Sequence, residues 1–225
     1  MRGIFVTGTD TGVGKTVLSA AVCAALAARG ERVAAFKPVV TGLDDPPGEW
    51  PPDHELLASA ASAGQSPEDV APLRFGPAVS PHLAAELAGT PIEPHDLVRA
   101  AQRAGERADV LVCEGVGGLM VPLTTGYAIR DLAVDLHLPV VIAARAGLGT
   151  ISQSLLSVEA ARAGGLEVRA VVLTPWPDEP SRMERSNREA IETVGGVPVA
   201  TLPATTPTTL ADAGATLPLD DWLHE

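Results

Sequence analysis

GIFVTGTDTGVGKT, residues 3–16, is the stretch that decides the fold. Its first five residues form an apolar run that reads as a buried strand. A glycine-rich turn follows, and Lys15 and Thr16 open a segment of good helix formers that reaches Arg29 and stops at Gly30. A strand, a Gly-rich turn ending in Gly-Lys-Thr, and a helix in that order make a phosphate-binding loop. Glycines let backbone N–H groups curl round phosphate oxygens, and the new helix presents its positive end to them. Lys15 is placed to reach the outer phosphates, and the Thr16 hydroxyl to meet a Mg²⁺ ion. The spacing is unusual. The common G-x-x-x-x-G-K-T form would put the first glycine at position 9, which is Thr9. Here it is Gly8, so the loop is one residue longer.

Outward from this turn, apolar runs alternate with Ala-rich helical segments. Strands are expected at 3–7, 32–36, 109–113, 139–144, 168–173 and 197–201. Helices are expected at 15–29, 53–63, 81–88, 94–106, 150–163 and 181–194. That alternation implies right-handed crossovers and a doubly wound, mainly parallel α/β sheet with helices on both faces. The 225 residues show no internal repeat and no linker, so one domain spanning 1–225 is expected.

Composition narrows the function. The formal net charge is −12, which disfavours a nucleic-acid partner, and aromatics are only 3%, too few for base-stacking platforms. A locally positive pocket remains compatible with an acidic surface. Cys23 and Cys113 are too few for a disulfide framework. No apolar run approaches the ~18 residues of a membrane span, and no charged-then-apolar leader is seen. A cytoplasmic protein with no membrane partner is the expectation.

Beyond the turn, Lys37 ends the second strand in Phe36-Lys37-Pro38, and Pro38 keeps it extended. A lysine at that strand edge points into the same crevice as the phosphate loop. Thr41 and Gly42 begin a Gly-, Pro- and Asp-rich stretch, 41–52, that reads as a ligand-carrying loop. Glu114 terminates the apolar run 109–113 as a metal-binding acid does, and Gly115-Val116-Gly117-Gly118 offers backbone that a ligand can approach. Asp53, after Pro51-Pro52, is either a helix cap or a second metal ligand, with Glu55 two residues on as its substitute. Thr16, Asp53 and Glu114 with nucleotide oxygens would suffice for Mg²⁺, which binds few protein ligands. The five histidines show no ligand spacing, and both cysteines read as core.

Taken together, GTDTGVGKT at 8–16, KPVVTG at 37–42, VSPHLAAE at 79–86, EGVGGLMVPL at 114–123 and AGLGTISQSLLSVEA at 146–160 resemble the dethiobiotin synthetases, ATP-dependent enzymes of biotin synthesis within the P-loop NTPase-like folds. The resemblance spans nearly the whole chain. It implies a homodimer, a sheet of about seven strands, and the substrates 7,8-diaminopelargonic acid, CO₂ and ATP or another nucleoside triphosphate. It implies nucleotide binding by Asp10, Thr11, Gly12, Val13, Gly14, Lys15, Thr16 and Val17, with Glu114. Thr174, Pro203 and Ala204 are expected near the base. Thr41, Ser80, Gly117 and Gly118 are expected at the substrate. Leu148, Gly149 and Ser152 are expected to meet its carboxylate end across the dimer, near the helix holding Asn187.

The implied chemistry is carbamate formation, attack of the carbamate on the γ-phosphate, and closure of a ureido ring by the second amine. An anion attacking an anion needs charge neutralisation and alignment more than a strong base. Lys37, Lys15 and Thr11 are the expected catalytic groups, with Mg²⁺. Three positions depart from the family pattern: Gly12 where many members carry an acid, Ser152-Gln153 where an Asn-His pair is common, and Thr174-Pro175-Trp176-Pro177 where an adenine-reading Asn is usual. The competing reading is a partition or cell-division ATPase switch of the related P-loop class. Such switches carry a second lysine at about position 10, which here is Asp10. Amide-forming synthetases of corrin synthesis append a glutamine-hydrolysing domain that 225 residues do not accommodate.

Overall fold

A computed structural model describes residues 1–46 and 48–224; Pro47, within the expected 41–52 loop, lies outside the described residues. The chain runs β1 (Gly3–Gly8), α1 (Lys15–Ala28), β2 (Val33–Phe36), β3 (Val39–Val40), α2 (Asp53–Ala60), α3 (Pro67–Val70), β4 (Leu73–Arg74), α4 (Pro81–Ala88) and α5 (Pro94–Gly105). It continues through β5 (Val110–Gly118), β6 (Pro122–Thr124), β7 (Tyr127–Ala128), α6 (Ile129–Leu136), β8 (Val140–Ala144) and α7 (Thr150–Ala163). It closes with β9 (Val168–Trp176), α8 (Arg182–Gly195), β10 (Val199–Pro203), α9 (Leu210–Ala215) and α10 (Leu219–Leu223).

The main sheet has the order β10-β9-β8-β1-β5-β2, and every pairing in it is parallel. Its strands are buried on both faces because successive side chains point to opposite sides. Phe5, Phe36, Leu111, Cys113 and Ile142 join one apolar cluster with Leu97, Ile129, Leu132 and Val158 of the helices on that side. Ile4, Val6, Ala35, Val112 and Val141 join the other, with Leu18, Leu26, Leu57 and Trp222. The single-residue alternation of the apolar runs is thus divided between two helical layers, which is the doubly wound α/β architecture.

Six strands make up this sheet, the six marked by the apolar runs, rather than about seven. The outer edge of β2 is occupied in another way. The Gln65 side chain accepts from the Ala35 N–H (2.8 Å) and donates to the Ala35 carbonyl (3.0 Å). The Ser62 hydroxyl accepts from the Val33 N–H (2.9 Å), and the Ala63 N–H donates to the Val33 carbonyl (2.9 Å). An edge strand left open is a liability, and here the chain after α2 blunts it. That is also why α2 stops at Ala60 rather than continuing to 63. The remaining pairings are two ribbons, β3–β4 and β6–β7.

Chain order reverses at β1, which has β8 on one side and β5 on the other. In open α/β sheets the ligand crevice lies beyond the carboxyl ends of strands at such a point. α1 leaves β1 there, and its far side packs on α9 so closely that a methyl group at Gly214 would collide with the Ala21 carbonyl oxygen. Gly214→Ala is therefore expected to lower the unfolding free energy by about 1–3 kcal/mol, the usual range for an overpacked contact. Urea titration would show it as a lower midpoint, and an unchanged midpoint would mean that the α1–α9 approach does not hold the helix.

Candidate functional site

α1 starts at Gly14, which has φ 90°; no side chain caps the helix and no acid lies in its first turn. A β-carbon at Gly14 would be strained there and would sit 3.0 Å from the Thr174 methyl. The first N–H groups of α1 are therefore free to bind an anion. Lys15 is buried and folds back over the loop, its Nζ donating to the Asp10 carbonyl at 2.8 Å. Burial lowers its pKa, and Lys37 adds to this, while Glu114 opposes it. The Asp10 carboxylate accepts the Thr11 N–H at 2.7 Å. Val13 is 2% exposed and belongs to the core, so only its backbone faces the loop.

Below the loop lies a buried charge cluster. Glu114 is fully buried. Its Oε1 accepts from Lys37 Nζ at 2.6 Å and from the Thr16 hydroxyl at 2.8 Å. Lys37 also pairs with the Asp53 carboxylate. Burial alone would lower the pKa of Lys37, but Glu114 and Asp53 together raise it, so it stays charged. Burial alone would raise the pKa of Asp53, yet Lys37 takes it below the usual carboxylate value. Asp53 is the first residue of α2 and Pro52 is its cap, so Asp53 faces Lys37 instead of capping. Glu55 is exposed.

Two sequence expectations change here. Glu114 lies within β5, which runs on to Gly118 with a bulge in its pairing to β1. Gly115 is small for packing, since a β-carbon there would lie 2.7 Å from an Ile129 methyl and 3.0 Å from the Phe5 ring. Gly117 does line the cavity, and Gly118 pairs with Gly8.

The donor set suits a Mg²⁺ ion. Its atoms are hard oxygens, and Glu114 Oε2 is buried without a hydrogen-bond partner in the described structure. No group of three or more His, Cys, Asp or Glu that could hold a metal occurs among the described residues. A Mg²⁺ site here would therefore need Thr16, Asp53, Glu114 and phosphate oxygens together.

A cavity of about 820 Å³ stands over the cluster. It brings together Thr11, Gly12, Gly14, Lys15, Thr16 and Val17 of the loop with Lys37, Thr41, Asp53, Ser80 and Gly117. Ser80 precedes α4 but makes no capping hydrogen bond, which leaves its hydroxyl for a ligand. Asp45, Trp50 and Val121 also line the cavity, and none had been singled out. The Gly-, Pro- and Asp-rich character of 41–52 was the signal for the first two. Leu148, Gly149 and Ser152 do not line it; they lie at the start of α7, with Leu148 92% exposed. Thr174 stands beside the loop, its methyl 3.0 Å from where a β-carbon at Gly14 would sit. Pro203 lines a separate groove of about 500 Å³ with Trp176, and the exposed Ala204 follows it.

A P-loop on a parallel sheet, with lysines and acids meeting under it, defines a nucleotide-dependent enzyme class. A family model described as an AAA domain matches residues 2–209. The chain is 44% identical over 183 residues to an ATP-dependent dethiobiotin synthetase of Anaeromyxobacter dehalogenans, covering 80% of this chain and 81% of the relative. Similar enzymes are the ATP-dependent dethiobiotin synthetases of Bacillus subtilis strain 168 (35% over 201 residues, 88% and 85%) and Rhodococcus erythropolis (38% over 202 residues, 88% and 86%). The chain belongs to the ATP-dependent dethiobiotin synthetase family of ligases. No helix among the described residues is long and apolar enough to cross a membrane.

The charge cluster makes a prediction of its own. Lys37→Ala would leave Glu114 as an unpaired buried charge, at a cost of about 3–5 kcal/mol. Adding Glu114→Gln removes that charge, so the double variant is expected to regain much of the stability. Chemical denaturation of the four proteins in the cycle tests this, and additive losses would contradict it.

Proposed function

We propose that this protein makes dethiobiotin from 7,8-diaminopelargonic acid, CO₂ and ATP. The observation that carries the reading is the cavity, which extends past the phosphate loop to Thr41, Ser80 and Gly117 and so leaves room for a second substrate beside a nucleotide. The names of the relatives supply the nucleotide and the product, ATP and dethiobiotin.

In this reading one neutral amine of the substrate takes up CO₂, releases a proton and becomes a carbamate. A carbamate oxygen attacks the γ-phosphorus, and ADP leaves. The second amine attacks the carbamoyl carbon, the C–O bond to phosphate breaks, and a proton leaves as the ureido ring closes. Lys15 and Lys37 neutralise the two approaching anions, and the Thr11 hydroxyl hydrogen-bonds the transferring group. Thr41, Ser80 and the Gly117 and Gly118 backbone hold the carbamate and diamine. Thr16, Asp53 and Glu114 would hold Mg²⁺, which when bound adds positive charge at the phosphates. Thr174, Pro203 and Ala204 border the base. Both amines must be neutral to react, so turnover rises with pH.

The remaining assignments belong to the same proposal. The whole of 1–225 is one synthetase unit, cytoplasmic and homodimeric, and Leu148, Gly149 and Ser152 serve the carboxylate end of the diamine bound to the other copy. The start of α7 supports this, because its N–H groups have no side-chain cap and its residues do not line the cavity of their own chain.

Phosphate release is expected only with diamine, bicarbonate, Mg²⁺ and ATP together, and Lys15→Ala should lose about 10²–10³-fold in kcat. Diamine-independent hydrolysis stimulated by DNA or lipid would replace this reading with the partition-ATPase switch. Parallel runs with CTP and GTP report the base preference.

A further inference from the structure

We propose that Arg145 is a positioning residue that clamps the phosphate loop from outside. The inference deepens the nucleotide-site reading above and rests on it. Gly8 of β1 is in register with Ala143 of β8, and the Thr9 N–H donates to the Ala143 carbonyl at 3.0 Å. Two residues on, Arg145 stands beside the loop. Its Nη2 lies 3.4 Å from both the Thr11 and Gly12 carbonyl oxygens. Arg145 is exposed and forms no ion pair among the described residues. Among the described residues, its guanidinium has the two loop carbonyls as hydrogen-bond partners and no acid.

Those two carbonyls matter because of what they share. In a trans peptide the C=O and N–H point in opposite directions. The Thr11 carbonyl shares its peptide plane with the Gly12 N–H, and the Gly12 carbonyl shares its plane with the Val13 N–H. Holding both oxygens outward turns both N–H groups the other way, into the loop, where phosphate oxygens bind. A cation on the carbonyl side also polarises these peptides and strengthens the inward donors. Gly12 suits the contact: it has φ 69°, and a β-carbon there would lie 3.5 Å from the guanidinium.

The base of Arg145 is held as well. Asn187, 6% exposed on α8, donates its side-chain amide to the Ala146 carbonyl (3.0 Å) and the Gly147 carbonyl (3.2 Å). This buried amide holds the segment that carries Arg145, so it is a positioning residue one step further out.

The test is titration calorimetry of the full chain with MgADP, alongside the melting temperature without nucleotide. Arg145→Ala is expected to weaken MgADP about tenfold, the size of one charge-assisted hydrogen bond near the surface. Its nucleotide-free melting temperature should not move, and its KM for the diamine should stay at the wild-type value. Arg145→Lys keeps the charge but loses the planar fork, so it should recover only part of the affinity. An Arg145→Ala affinity within about twofold of wild type overturns the clamp. So does a loss matched by a fall in nucleotide-free melting temperature, which would mark a purely structural arginine. A wild-type protein that fails to bind MgADP would instead overturn the nucleotide-site reading itself.

Discussion

The buried pairing of Lys37 with Glu114 is the constraint on which the site depends. A lysine and a glutamate both removed from water are costly unless each satisfies the other. That requirement fixes the end of β2 against the middle of β5. It brings Asp53 from the start of α2 onto the same ammonium. The Thr16 hydroxyl binds the same Glu114 oxygen, so the first turn of α1 is tied to the cluster too. Four elements, β2, β5, α2 and α1, are thereby held together at one loop. The arrangement leaves the second Glu114 oxygen buried without a hydrogen-bond partner among the described residues.

The same cluster explains how an acidic protein handles phosphate. The formal net charge is −12, yet two lysines and a helix N-terminus converge beneath one cavity. Each lysine is buried, and their environments differ. Lys37 is compensated by two carboxylates and keeps its charge firmly, whereas the charge of Lys15 is weakened by burial and by Lys37 itself. An incoming phosphate would relieve Lys15. The loop is therefore arranged around an anion that it does not itself contain, as expected of a site preorganised for charge.

Much of this was legible in the residues. The apolar runs marked all six strands of the main sheet, because strands buried on both faces are continuous apolar runs. The 8–16 turn marked the loop at the cavity, and Lys37 was legible as a strand-end group; Glu114 was legible as an acid of the site but not as a residue in the middle of β5. Their direct contact was not, since it joins residues 77 apart in the chain and depends on sheet order. The glycine at 115 misled for a similar reason: Phe5 and Ile129 fill its space, and no local signal distinguishes that from a ligand approach. The blunting of β2 by Gln65 was equally hidden, because a side chain that imitates a strand carries no periodicity. The six- and five-residue helices α9 and α10 fell below the length at which an apolar repeat declares itself, while α6, as long as α4, lacks the first-turn proline that marked α4.

The central claim is that Glu114 joins the lysine cluster to a metal-bound nucleotide. ADP titrations with and without Mg²⁺, on the wild type and on Glu114→Gln, test it most directly. The account predicts that Mg²⁺ tightens ADP binding to the wild type and does so far less for the variant. An equal Mg²⁺ effect in both proteins would contradict it.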